Sequence, residues 1–221
     1  MCWNAPISFV TWVTSLIGSV LLIRRGNPDD IWNAMFVLTF SSVQLWEFFM
    51  WIDQKCSGLN QFATKMTLIT LWCQPLIQCI GWLYASSNDK YKNLILIPIA
   101  TYACFTVLSL VYIATGKHKN WCSKPRECYS LNWSFAGTVD PKPIPANLNP
   151  LEISKISWIL YMSGLFVPLF FQKSVPRKIT LICVNVTSLI LLYLFVRKCK
   201  TLSSHWCAIS NIYVWLAYLI P

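Results

Sequence analysis

Long apolar runs alternate with short polar connectors along the whole chain. A helix needs about 20 predominantly apolar residues to cross roughly 30 Å of hydrocarbon. Runs of about this length with little or no charge predict seven transmembrane helices, over residues 5–23, 31–52, 66–87, 93–116, 156–172, 179–196 and 203–220. Six helices are the alternative count, because the fifth run is short and the seventh runs directly into the end of the sequence.

The connectors and the ends of the runs have the residues expected at a membrane surface. The segments 24–30, 86–90 and 174–178 combine Gly, Pro, Asn, Asp or Ser with Lys or Arg, a composition typical of turns. Trp and Tyr crowd many of the run ends, as at Trp3, Trp32, Trp51 and Tyr84. Such aromatic belts mark the interface between hydrocarbon and water.

Composition agrees with this pattern. The chain is 56% hydrophobic and only 12% charged, with a mean hydropathy of +0.51. A typical soluble domain is about 25% charged. A soluble enzyme, a disordered tail and a disulfide-rich secreted module are therefore excluded. The prediction is an all-α protein, a polytopic transmembrane helical bundle that forms a single domain over residues 1–221 and is integral to a membrane.

The formal net charge of +10 changes this picture little. The 18 Lys and Arg residues are spread over the connectors, and no basic helix or aromatic RNA-binding strand is visible. Basic residues that flank membrane helices contact anionic lipid headgroups. We therefore predict a lipid bilayer as the partner and no nucleic acid, and leave an oligomer open.

Side A denotes here the membrane side on which the N-terminus lies, and side B the opposite side. The one long connector, residues 117–155, falls on side A and is longer than a passive turn requires. It contains a glycosylation acceptor pattern at Asn132 and two nearby cysteines, Cys122 and Cys128, which predict a disulfide in an oxidising compartment. Short loops on side B carry slightly more Lys and Arg, so side A is predicted to be exoplasmic.

Glu47 is the polar residue least expected in its place. It lies six residues before Asp53, roughly 9 Å inside the second span. An ionisable group at that depth should face the bundle and have a partner. Gln44 lies one turn away on the same helix face, and Gln74 and His205 are candidate partners from other spans.

Two interpretations of these polar residues remain open. The first is a polar pocket or proton relay that opens to side A, built from Gln44, Glu47, Gln74 and His205, with Asn211 as a further candidate. The second is hydrogen bonding between helices, which is the favoured reading for Gln78 and Asn211. Glu47 is compatible with both, since simple interhelical bonding does not need an ionisable group.

Several familiar chemistries find no support in the sequence. No Walker loop, GxSxG or HExxH motif occurs, and the glycines are scattered singly. The ten cysteines include no CxxC pair. We therefore predict no cofactor, no metal site and no catalytic residue, and an enzyme is the less favoured class.

Four short motifs lie at separate places along the chain: Met1–Ala5, Gln44–Trp51, Gln74–Pro75 and His205–Asn211. Together they resemble an uncharacterised family of multi-pass membrane proteins encoded by giant DNA viruses and unicellular algae. The resemblance implies a multi-pass topology and viral origin, with a location in a host endomembrane or the virion inner membrane. It implies no mechanism, because that family has no assigned activity.

Three functions follow as expectations. The first is a small transporter, channel-like protein or membrane scaffold whose polar pocket around Glu47 handles a proton, an ion or a small solute. The second is a membrane-embedded enzyme that acts on a lipid or quinone, with Glu47 and His205 as acid and base. The third is a structural protein of a viral inner membrane.

Overall fold

The computed structural model describes residues 4–86, 92–116, 119–126, 130–136, 150–199 and 206–220. Seven α-helices occur within these residues: α1 (Ala5–Arg25), α2 (Pro28–Ile52), α3 (Leu59–Ala85), α4 (Lys92–Ala114), α5 (Pro150–Phe166), α6 (Val175–Cys199) and α7 (Trp206–Leu219). A short antiparallel hairpin of β1 (Lys124–Arg126) and β2 (Ser130–Asn132) follows α4. The predicted all-α bundle is confirmed.

Four of these helices match the dimensions of a lipid bilayer. Among the described residues, α1 to α4 are long and apolar enough to cross a membrane, and the stretch from Ile159 to Phe171 is a shorter apolar helix. The outer face of α4 exposes large apolar side chains. Examples are Leu94, Ile97 and Val107, which are 55–66% exposed. A surface this apolar belongs against acyl chains rather than water. The chain is therefore compatible with an integral membrane protein.

Helix boundaries differ from the predicted spans mainly where polar residues continue a helix. The first turn of α2 includes Asp29 and Asp30 after Pro28, an arrangement that suits a helix N-terminus because Pro needs no hydrogen-bonded N–H there and carboxylates favour the positive end of the dipole. At α3 the helix starts seven residues before the apolar run, directly after Gly58, whose φ of 130° few other residues adopt.

The predicted connector 117–155 is shorter than expected. Helix α5 begins at Pro150, inside that segment, and gives way at Val167 to a 3-10 turn that ends at Phe171. The hairpin β1–β2 and a 3-10 turn at Ser134–Ala136 also lie within it. Its predicted exoplasmic location is a matter of orientation and stays a prediction.

Contacts at the two ends show that the helices alternate in direction. At side B, the end of α1 meets the starts of α2 and α6 and the end of α7 through hydrogen bonds and ion pairs. At side A, the end of α2 and the start of α3 meet Ser123, which follows α4. Aromatic and aliphatic side chains of α1, α2, α5, α6 and α7 form the main apolar core between these ends.

Candidate functional site

Glu47 faces the interior of the bundle. Its side chain and that of Gln44 are both 0% exposed, and the Gln44 Nε2 donates a hydrogen bond of 3.2 Å to the Glu47 Oε2. The spacing of three residues places both on one face of α2, as the sequence predicted. The predicted pair is thus present, and it is sheltered from both lipid and bulk water.

Small hydroxyl side chains surround Glu47 at the same depth. The rings of Phe9 and Phe48 lie 5.2 Å apart, so Glu47 is level with the first turns of α1. The buried positions of α1 there are Ser8 and Thr11. On the other side of α2, the hydrogen bond from Asn60 to the carbonyl of Met50 fixes the level of α3.

The α3 positions buried at that level are Ala63 and the two hydroxyl residues Thr64 and Thr67. Thr64 and Thr67 are both 0% exposed and point into the bundle. The Thr67 hydroxyl donates to the carbonyl of Ala63 within its own helix. The level of Glu47 therefore has buried oxygen-bearing side chains of α1, α2 and α3 beside the buried apolar residues Val43, Met50 and Ala63.

Gln74 is buried but does not lie beside Glu47. Its Oε1 accepts a hydrogen bond from the Tyr161 hydroxyl of α5. The next turn, Gln78, accepts from the Trp32 indole and donates to the carbonyl of Leu165. Counting helix rise from the Trp32–Gln78 bond separates Gln74 from Glu47 by roughly 15 Å along the bundle axis. The two glutamines of α3 thus bridge helices, as expected for Gln78.

For two further residues of the predicted pocket, the structure does not describe the side-chain position relative to Glu47. His205 lies outside the described residues. Asn211 belongs to α7, but its side chain also lies outside the described part of the chain, so their relation to Glu47 stays a prediction. The same holds for glycosylation at Asn132, the last residue of β2.

The disulfide differs from the predicted one. Cys122 pairs with Cys56, across 66 residues and with Cα atoms 5.6 Å apart, so the predicted Cys122–Cys128 pair is wrong. Cys56 lies in the turn between α2 and α3, and the segment after α4 folds back onto that turn. This places Cys122 within the span a disulfide allows, 4.4–6.8 Å being usual.

A hydrogen-bond cluster holds the same corner of side A. The side chain of Asn60 donates to the carbonyls of Met50 and Ser123, and its Oδ1 accepts from the Ser123 N–H at 2.8 Å. The Thr64 hydroxyl lies 2.8 Å from that of Ser123. The corner therefore ties the start of α3 to the segment that follows α4, directly above the level of Glu47.

Asp53 organises the turn between α2 and α3. Its carboxylate accepts from the N–H of Asn60 at 2.9 Å and from the N–H and hydroxyl of Ser57 at 3.0 and 2.9 Å. These hydrogen bonds, the one from Asn60 above all, hold the pKa of Asp53 below its usual value. Its contribution to stability is present above the unfolded pKa of about 3.9 and is lost as the pH falls through the lower folded pKa.

We therefore expect Asp53→Asn to flatten the acid limb of the stability profile. The wild-type melting temperature should fall more steeply between about pH 5 and pH 3 than that of the variant, because only the wild type must protonate this carboxylate. Thermal melts across that range check this. Superimposable profiles for the two proteins would show that the turn does not depend on the Asp53 charge.

The densest polar network lies at side B, where the sequence indicated only connectors. Asp30, 0% exposed, accepts from Arg25 Nε and Nη2 at 2.6 and 2.7 Å and pairs with Arg177 Nη1 at 2.8 Å. Arg177 is itself 2% exposed. The two guanidinium groups also donate to main-chain carbonyls at the end of α7, those of Ala217, Tyr218 and Ile220.

This Arg25–Asp30–Arg177 triad joins four helix ends at side B of the bundle, those of α1, α2, α6 and α7. The basic residues at both positions were assigned by the sequence to lipid headgroups, which is wrong for these two. The sequence did contain a signal for this network, the pair of aspartates directly before an apolar run. Acidic residues at that place are available to pair with nearby arginines.

Comparisons with known proteins assign no family to the chain. The resemblance to the viral and algal membrane family stays a prediction. Comparison of the chain with protein families, with curated proteins and with solved structures found no match.

Proposed function

We propose that the protein is a small transporter or channel-like membrane protein whose polar intramembrane site, centred on Glu47, binds the proton, ion or small solute that crosses. The observation that supports it most is the complete burial of the Glu47 carboxyl beside Gln44 in an apolar span. Burying an acidic side chain within a membrane span costs up to about 2.5–3.5 kcal/mol on insertion scales, the largest value applying at the helix centre. Interhelical bonding alone is met by a neutral amide, so the ionisable group indicates a function.

The position of the ion triad suggests the direction from which the site is reached. Asp30 and its two arginines lie at the side B end, whereas the buried positions at the level of Glu47 include the small hydroxyl residues of α1 and α3. We therefore propose that side A provides access to Glu47. On this view the Asn60 and Ser123 corner lies at the mouth of the site.

The test is proton or solute flux in reconstituted vesicles. Glu47→Gln keeps the shape and the hydrogen bond to Gln44 but removes the ionisable group, so the pH-dependent flux should drop to that of protein-free vesicles. A dye enclosed in the vesicles reports the flux after a pH jump.

A matched variant removes a different carboxylate of the same helix. Asp53→Asn lies at the membrane surface, outside the bundle interior, and should retain the flux of the wild type. Equal flux for wild type and Glu47→Gln, with both proteins folded by circular dichroism, would overturn the proposal and leave the polar residues as interhelical bonding groups.

A further inference from the structure

A second polar cluster lies at side B beside the ion triad, built from Asp29, Asn33 and Gln172. The Asn33 Nδ2 donates to the main-chain carbonyl of Asp29 at 2.7 Å, and its Oδ1 accepts from Gln172 Nε2 at 2.9 Å. The N–H groups of Lys173 and Ser174 donate to Asp29 Oδ2 at 3.0 and 3.3 Å. These bonds close a ring that joins the first turn of α2 to the connector between α5 and α6.

Two oxygen atoms on this ring have no hydrogen-bond donor among the described residues. They are the Oδ1 of Asp29 and the Oε1 of Gln172, on side chains that are only 7% and 1% exposed. A buried acceptor without a donor is costly, so such atoms in folded proteins usually face an ordered water or an ion. Both are hard oxygen ligands. In each side chain the other terminal atom, Asp29 Oδ2 or Gln172 Nε2, is already hydrogen-bonded within the ring.

The surrounding bonds fix which atoms are left over. The Asn33 Nδ2 faces the main-chain carbonyl of Asp29, which can only accept, so the other amide atom, which meets Gln172 and the Tyr213 hydroxyl, must be the oxygen. Gln172 must then present its nitrogen to Asn33 and turn its oxygen away. In the same way, two main-chain N–H groups occupy Oδ2 of Asp29. The leftover pair is built into the network.

Charge distinguishes Asp29 from its neighbour. Asp30 is paired with both Arg25 and Arg177, whereas no Lys or Arg side chain is paired with Asp29 among the described residues. One carboxylate and one amide oxygen suit a singly charged cation. A divalent ion favours more carboxylate ligands and would meet repulsion from the two arginines nearby.

We propose that Asp29 Oδ1 and Gln172 Oε1 form a binding site for a monovalent alkali cation, with sodium as the test ion. The cation receives the two leftover oxygens and completes its coordination with water. It links α2 to the α5–α6 connector at side B of the bundle. The inference does not rest on the transport proposal, because it concerns a different site.

Sodium-dependent thermal stability of the full-length protein in lipid nanodiscs tests this proposal. At constant ionic strength, replacing choline by sodium should raise the melting temperature in a saturable way, by about 3 °C or more once sodium exceeds its dissociation constant tenfold. Asp29→Asn should abolish the response. The oxygen of the new asparagine can still accept from the N–H groups of Lys173 and Ser174, so the variant should stay folded in choline.

Glu47→Gln is the matched control and should keep the full sodium response. Equal melting temperatures of the wild type in sodium and choline would overturn the proposal, and water or a proton would then satisfy the two oxygens. A sodium response that survives in Asp29→Asn would place the ion elsewhere and overturn it as well. The flux measurement in vesicles is independent of these melting temperatures. Failure of the sodium proposal therefore leaves the transport proposal standing, and failure of the transport proposal leaves the sodium proposal standing.

Discussion

Replacing Asp30 by Asn is expected to lower the free energy of unfolding by about 3–5 kcal/mol. The substitution removes the carboxylate that is paired with two guanidinium groups, of which Arg177 is almost fully buried. Removing one partner from a buried ion pair costs about this much, because an uncompensated charge stays behind. Denaturant titration in mixed micelles of lipid and detergent measures the difference.

Two comparisons make this prediction specific to the triad. Arg24→Met changes the net charge by one at an exposed neighbour of Arg25 and should alter stability by no more than about 0.5 kcal/mol. The double variant Asp30→Asn with Arg177→Met should be less destabilised than the sum of the single variants, since the buried cation is also removed. Strict additivity would contradict the proposed coupling.

Replacing Gly164 by Ala is expected to destabilise the protein by about 2–3 kcal/mol. A Cβ at this position of α5 would lie 2.5 Å from both the Cβ of Pro75 in α3 and the Cζ of Tyr102 in α4. Neither group can move easily: Pro75 is part of a helix backbone, and the Tyr102 hydroxyl donates to the carbonyl of Leu160 at 2.7 Å. Overpacking of this kind usually costs about 1–3 kcal/mol.

Ser163→Ala provides the control on the same helix. Within the described part of the chain, the Ser163 hydroxyl bonds only to the carbonyl of Ile159 one turn earlier. Its removal should therefore change the unfolding free energy by less than about 0.5 kcal/mol. Melting temperatures of the two variants, compared in one detergent, decide the matter. A Gly164→Ala variant as stable as Ser163→Ala would mean that α3, α4 and α5 do not meet closely at this point.

The bundle and the Glu47–Gln44 pair could be predicted because both depend on local spacing. Apolar runs set the helices, and a separation of three residues sets a shared helix face. The relation of Gln74 to Glu47 could not be predicted in this way. It depends on how far α3 is shifted along α2, and that shift is fixed by the Trp32–Gln78 bond, between residues 46 apart.

Long-range pairing explains the other differences between expectation and structure. The cysteine nearest to Cys122 in the sequence lies six residues away, but the disulfide joins Cys122 to Cys56. The return of the chain after α4 brings these two residues together. Arg177 and Asp30 are 147 positions apart, and nothing local distinguishes this arginine from Lys178 beside it. Charged connectors look alike in sequence whether they face headgroups or each other.

The most direct measurement of the central claim, a polar interior around Glu47 that is reached from side A, is thiol labelling at Gln44. Gln44→Cys places a reactive group one helical turn from Glu47, in a background whose other free cysteines are replaced by alanine. A small, charged methanethiosulfonate that cannot cross the bilayer is then added to either side of reconstituted vesicles. The account predicts labelling from side A and none from side B. No labelling from either side, or labelling from the side of the Arg25–Asp30–Arg177 triad, would contradict it.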